Sequence, residues 1–269
     1  MIAIDDRVLK AGLAGAIDRI GNFGVSRAAP ANIMSDGEGE NRLLSALPRK
    51  DRLLLLAHCE PVELVFADIV CEAGARIRHV YFPINGFISL ILPVDSHASG
   101  HASLEIDLIG NEGMFGVPLV LGVDVSSLRA VVQGSGSALR MTAAAFRRAL
   151  EKSTALQGKL HRYIYVSLSQ FSQTAACNRF HMLDARLARW LLVTQDRAHS
   201  NEFHLTHEFL AQMLGVRRVG VTNAAGLLQK RKLVSYSRGD IKILDRPGLE
   251  AVSCGCYRAV KDVYESVLG

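Results

Sequence analysis

Residues 205–244 read LTHEFLAQMLGVRRVGVTNAAGLLQKRKLVSYSRGDIKIL, and this stretch decides how the chain is organised. Thr206 stands where a helix N-cap belongs, and Phe209, Leu210, Met213 and Leu214 form an apolar face behind it. Ala211 is small enough to let a second helix cross closely, and Gly215 can take the left-handed conformation that turns the chain. Val221, Ala225 and Leu228, spaced four and three apart, give the second helix its inward face. That phase leaves Arg217, Arg218, Thr222 and Asn223 near the exposed N-terminal end, and Lys230, Arg231 and Lys232 close the helix. Val234–Ser237 and Ile241–Leu244 flank the tight turn Arg238-Gly239-Asp240, so they read as a two-stranded wing. This is the order of parts in a winged helix-turn-helix, which sets its second helix in the DNA major groove.

Charge supports that reading. Eight of the 31 Lys/Arg lie between Leu205 and Arg246, against three of the 26 Asp/Glu. Their excess equals the formal net charge of the whole chain, +5, so the remaining residues are balanced. A polyanion partner, double-stranded DNA, is the simplest reason to gather the entire surplus in one segment. Arg218 is then placed to donate two hydrogen bonds to guanine, worth about 1–3 kcal/mol of discrimination. Asn223 is placed to read adenine, and Val219 to meet a thymine methyl. Thr206, Arg217, Thr222, Lys230, Arg231, Lys232 and Arg238 are the candidate phosphate contacts, which supply affinity without sequence preference.

Upstream, residues 1–40 read as an arm, with one short helix on Leu9, Leu13, Ile17 and Ile20 that is either loosely attached or partner-binding. From Asn41, two short helices broken at Pro48 precede β-rich runs at Val62–Val65, Ile69–Cys71, His79–Phe82, Gly86–Leu92, Ser103–Ile109, Arg129–Gln133 and Ser137–Met141. Gly74, Asn85-Gly86, Gly110-Asn111 and Gly134 punctuate them as turns, and such spacing predicts a small antiparallel roll over 41–154. Thr142 is placed to cap a helix on Ala143, Phe146 and Leu150. A longer helix over 155–177 follows, with Leu156, Leu160, Ile164, Leu168, Phe171 and Ala175 three or four apart. Tyr163, Tyr165 and Val166 make it apolar on more than one side, so it is either wholly buried or shared between the roll and a second copy of itself. The fold class is therefore α+β: an N-terminal antiparallel roll, a long helix, and a winged helix-turn-helix within 178–269.

Several function classes drop out. No apolar run approaches the roughly 18–20 residues that span a bilayer. The start MIAIDDRVLKAGLAG lacks the pattern of a signal peptide, so a cytoplasmic protein is expected. There is no Walker or Rossmann glycine motif, no GxSxG elbow and no HExxH, so catalysis and a bound cofactor are not expected. Cys59, Cys71, Cys177, Cys254 and Cys256 are odd in number and include no Cys-x-x-Cys pair. Cys254 and Cys256 alone supply two of the four ligands a metal needs, so no metal site is assigned and a redox role stays open.

Roll, long helix and winged helix in this order resemble the cyclic-AMP receptor protein/Fnr (Crp/Fnr) family of bacterial transcription regulators. The likeness runs from about Asn41 to Leu244 and is carried by residues 205–244, GARIRHVYFPINGFISL (Gly74–Leu90) and NEGMFGVPLVLG (Asn111–Gly122). It implies a homodimer joined along the long helix through Leu160, Ile164, Leu168 and Phe171, bound to a twofold-symmetric operator, with RNA polymerase as a further partner. By position it assigns base contact to Arg218, Val219 and Asn223; Val219 replaces the acidic residue of many members. The cyclic-nucleotide-binding-like roll would place an effector pocket at Gly116, Val117, Ser126, Ser127 and Arg129. The family's ligand-binding glutamate and Arg-Ser pair are missing there, so the effector is unknown and cyclic AMP is not expected. Arg129 either faces an anion or lies on the strand surface. The alternative is a receptor whose cyclic nucleotide or dinucleotide gates DNA binding. No cysteine precedes Cys59, so the iron–sulfur centre of oxygen-sensing members is not expected. Histidines at 58, 79, 97, 101 and 161 are too scattered to suggest haem ligation.

Overall fold

Asn41 anchors the first helices. Its Oδ1 accepts from the amides of Leu43 and Leu44, and its Nδ2 donates to the carbonyls of Pro83 and Gly113, all within the core. Helices α1 (Arg42–Ser45) and α2 (Arg49–Leu56) break at Pro48, as expected. The computed structural model describes residues 39–96 and 100–269, so the helix read on Leu9–Ile20 lies outside the described residues.

The seven β-rich runs form five strands: β1 (Glu60–Leu64), β2 (Ile69–Cys71), β3 (His79–Ser96), β4 (Gly100–Ile109) and β5 (Arg129–Thr142). All pair antiparallel in the order β1-β5-β3-β4, with β2 also on β5. The expected turns at Asn85-Gly86 and Gly134 are instead bulges inside two long strands, where the β3–β5 register shifts between Pro83 and Ile88. Gly86 has φ +80°, and a Cβ there would stand 2.4 Å from the carbonyl oxygen of Gly134. Glycine lets the strands bend together here without ending them.

Thr142 caps α3 (Ala143–Lys152) by accepting from Ala145, and Ser153 caps the 27-residue α4 (Thr154–Phe180). Leu156, Leu160, Tyr163 and Val166 of α4 enter the roll's core with Phe82, Ile88, Met114 and Phe146. This corrects the expected dimer stripe: Leu160 is sealed within its own chain. Leu168 and Tyr165 remain open, 57% and 58% exposed, while Ile164 and Phe171 are half-buried.

Beyond α4 come α5 (Leu183–Ala198), β6 (Glu202–His204), α6 (His207–Leu214), α7 (Arg218–Lys230), β7 (Val234–Ser237), β8 (Asp240–Ile243), α8 (Arg246–Val252) and α9 (Cys256–Leu268). The wing has three strands, β6-β8-β7, because Glu202–His204 pairs with β8 after the polar break. Helix α9 leaves the winged helix and returns along α4. Leu268 enters the roll's core, Lys159 Nζ donates to its carbonyl, and the Tyr264 hydroxyl donates to the carbonyl of Glu112.

The winged helix rests on the roll. Ile91 and Val131 of the roll share a core with Leu187, Trp190, Leu191 and Leu210, and Leu104 lies against the turn glycine Gly215. Polar groups pin this seam. Glu105 accepts from Ser89 Oγ at 2.8 Å and Trp190 Nε1 at 2.6 Å, and Arg197 pairs with Glu112 at 2.7 Å. Burial pushes the Glu105 carboxyl up to about 7, with its hydrogen bonds opposing.

Candidate DNA-binding surface

The recognition helix α7 is held by packing on one side only. Val221, Ala224, Ala225 and Leu228 are buried against α5 and α6, with the Val221 and Leu228 side chains each worth roughly 1.5–3 kcal/mol. Arg218, Val219, Thr222 and Asn223 lie outward at spacings of three and four, so they share one exposed face. Val219 is 64% exposed, an apolar side chain that its own fold leaves uncovered. Arg217 is the N-cap without a side-chain cap, so the first amides of α7 stay open at the positive end of the helix.

Before it, Thr206 caps α6 by accepting from the Phe209 amide at 3.1 Å, and Gly215 ends α6 at φ +63°. A residue pair that the sequence reading did not single out joins the parts. His207 Nδ1 lies 2.9 Å from Thr222 Oγ1, and its ring stacks on Tyr236 of the wing at 4.2 Å. The Thr222 hydroxyl also donates to the carbonyl of Arg218. Thr222 is therefore committed within the domain, where it fixes α7 against α6. An aromatic at the wing and a histidine after the cap were visible signals, but nothing in their spacing foretold a stack.

Of the eight cations in the segment, the structure turns two to internal use. Arg246 pairs with Asp196 at 2.7 Å and Glu250 at 2.9 Å and donates to the Tyr257 hydroxyl, while Lys242 pairs with Glu202. Arg217, Arg218, Lys230, Arg231, Lys232 and Arg238 are exposed and have no ion pair among the described residues. They occupy both ends of α7, about 18 Å apart at 1.5 Å per residue, and the wing turn.

The expected effector residues do not line the cavity found between the roll and the C-terminal helices. Gly116 (φ +105°) starts a 3-10 turn at Val117–Leu121, and a Cβ on it would meet Val80 at 2.6 Å. The Ser126 hydroxyl is buried and donates to the Leu128 carbonyl, and Ser127 is exposed. Arg129 is neither on the strand surface nor open to an anion: it is 5% exposed and paired with Glu72 through Nε at 3.1 Å and Nη2 at 3.2 Å. A cavity of about 320 Å³ lies elsewhere, between β4, α4, α5 and α9.

A basic, outward recognition helix with a wing, seated on an antiparallel roll and a long helix, defines a helix-turn-helix DNA-binding regulator. Residues 185–252 match the family model described as the Crp-like helix-turn-helix domain. The fold is that of a crp/fnr-family transcriptional regulator from Eubacterium rectale, 19% identical, with TM-score 0.61 over 79% of this chain and 99% of that one. FixK2 from Bradyrhizobium japonicum is 14% identical, with TM-score 0.60 over 73% and 98%. The c-di-GMP-responsive global regulator CLP of Xanthomonas campestris is 15% identical, with TM-score 0.56 over 73% and 99%. No curated protein matches the chain. Residues 185–252 thus form a Crp-like helix-turn-helix domain, and the chain as a whole has the fold of solved Crp/Fnr-family regulators. Among the described residues no helix is long and apolar enough to cross a membrane.

Proposed function

We propose that the protein is a cytoplasmic homodimer that binds a palindromic operator, with α4 of each copy at the dimer seam. The observation that carries this is the open apolar face of α4, where Leu168 and Tyr165 stand in solvent beside Ile164 and Phe171 although the opposite face is packed. Pairing that face with its symmetric copy removes it from water and sets two α7 helices side by side. Half-sites then fall one helical turn apart, about 34 Å. Arg218, Val219 and Asn223 read bases, and Thr206, Arg217, Lys230, Arg231, Lys232 and Arg238 hold phosphates. RNA polymerase is the downstream partner.

Cyclic AMP is not the effector in this reading, because Glu72 already neutralises the buried Arg129. A second reading, a cyclic-dinucleotide receptor, is favoured by the likeness to CLP, itself c-di-GMP-responsive. A thermal-shift series with cyclic mono- and dinucleotides separates the two, since a ligand bound only by the folded state raises the melting temperature. The dimer is tested by analytical ultracentrifugation of Leu168→Glu. The expected result is a folded monomer that has lost affinity for a paired half-site duplex. A wild-type protein that is monomeric on its operator would overturn the proposal.

A further inference from the structure

Three of the five cysteines form a small cluster apart from both main cores. Cys177, Cys254 and Cys256 are buried together, with the partly buried Ala185 packed against them. Cys177 lies on α4; Cys254 lies in the turn between α8 and α9 and Cys256 opens α9, both beyond the matched winged-helix domain. His181, one helical turn after Cys177, caps α4 on the same side and is exposed. Their Sγ and ring nitrogen atoms all lie within 4.8 Å of one another. Cys177 and Cys254 approach to 3.4 Å, and Cys256 Sγ to His181 Nδ1 is 3.3 Å.

We propose that Cys177, His181, Cys254 and Cys256 bind one zinc-class divalent metal ion as a tetrahedral three-thiolate, one-imidazole site. With metal–sulfur bonds of about 2.3 Å and metal–nitrogen bonds of about 2.0–2.1 Å, neighbouring ligand atoms in a tetrahedron stand about 3.5–3.8 Å apart. The two short contacts, 3.4 and 3.3 Å, come within about 0.4 Å of those edges, and no ligand pair stands further apart than 4.8 Å. An iron–sulfur cluster would spread its ligands over several irons, which a set this tight does not allow. The two ligands missing from the Cys254-x-Cys256 pair thus come from a helix 73 or more positions earlier.

The surroundings fit. On binding, three thiols release three protons to solvent as three metal–sulfur bonds form, leaving a net charge of −1 at the centre. Arg186 and Arg189, fixed to Asn178 and Thr174 of α4, stand close enough to interact with these sulfurs. Gln173 Nε2 donates to Cys256 Sγ at 3.0 Å, the kind of outer contact that orients a ligand. Three buried sulfurs close the site and the exposed imidazole gives the ion its way in. The metal would fasten the α8–α9 turn to the end of α4, where the long helix passes into the DNA-binding domain.

The test uses the full chain without an affinity tag, reduced, stripped of metal and titrated with Co²⁺ and then Zn²⁺. One Co²⁺ per chain is expected, with the strong visible bands of tetrahedral coordination and a near-ultraviolet thiolate charge-transfer band, both abolished by Zn²⁺. Cys254→Ser, Cys256→Ser and His181→Ala should lose the site, Gln173→Ala should weaken it about 10–100-fold, and Cys59→Ser should bind as wild type. His181 is exposed, so its variant keeps the test decisive if the buried cysteine variants do not fold. No stoichiometric binding by the reduced chain overturns the proposal. So does weak octahedral absorption, unchanged binding in folded His181→Ala, or a Cys177–Cys254 disulfide whose reduction yields no metal-binding protein.

Discussion

On the winged helix, Arg217, Arg218, Lys230, Arg231, Lys232 and Arg238 stand in solvent without ion pairs among the described residues, whereas Arg129 of the roll is buried against Glu72, and Arg197 of α5, its side chain only 10% exposed, is paired with Glu112 of the roll. An exposed cation costs little to leave unpaired, because water solvates it until a polyanion arrives. A buried one must be answered inside the protein, or its desolvation opposes folding. The same residue type therefore reports binding in one region and domain attachment in the other. Substitutions in the two regions should separate accordingly.

The largest effect is expected at Arg197, whose side chain is 10% exposed against 18% for Glu112. Arg197→Leu leaves Glu112 without its partner in the seam, and breaking such a pair costs about 3–5 kcal/mol. Urea denaturation of the variant should show that loss. A loss below about 1 kcal/mol would mean that the seam does not depend on this pair.

Next is the pH dependence of the same seam. Glu105 is raised from 4.5 to about 7 by burial, so the folded protein keeps a proton that the unfolded chain has released. Between those values the native state binds more protons, and stability must fall as pH rises. Its contribution is full below the unfolded value and gone above the folded one. Asp107, also raised to about 7 chiefly by burial, acts in the same window. Glu105→Gln should therefore flatten the melting-temperature slope between about pH 5 and pH 7 in part. An unchanged slope would remove Glu105 from the account.

At the exposed face the expectation reverses. Arg218→Ala should cost about 1–3 kcal/mol of discrimination between the operator and a changed site, with stability altered by less than about 0.5 kcal/mol. Competition binding against single-base operator variants checks both the size and the position. Equal losses on all duplexes would reassign Arg218 to phosphate contact.

This contrast also explains what the sequence made legible. The winged helix is built from local signals, so Thr206, Gly215 and the Val221–Leu228 phase placed its helices closely. The roll's strands were found, but two were split, because glycine marks a bulge and a turn alike when pairing partners lie some fifty positions away. Long-range pairings were not legible. Nothing near Arg129 names Glu72, and nothing near Cys254 names Cys177 and His181. Leu160 shares a periodic stripe with Leu168, yet which of them meets the roll depends on the curvature of a sheet that periodicity does not encode.

The smallest effect tests the comparison most closely, because it sets cations of one segment against each other. Lys230 and Arg231 lie exposed at the C-terminal end of α7, and if each holds one phosphate, each adds about 0.9 to the slope of log affinity against log salt. Lys230→Ala with Arg231→Ala should lower that slope by about 1.8 while leaving the ratio between operator and unrelated DNA unchanged. Arg246, fifteen positions beyond Arg231, spends its guanidinium on Asp196, Glu250 and the Tyr257 hydroxyl. Arg246→Ala should leave the salt slope alone and lower the melting temperature instead. Filter binding across a salt series reads one quantity and calorimetry the other. If Arg246→Ala lowers the slope as Lys230→Ala does, its contacts do not hold in the DNA complex, and charge in this segment cannot be divided between fold and partner.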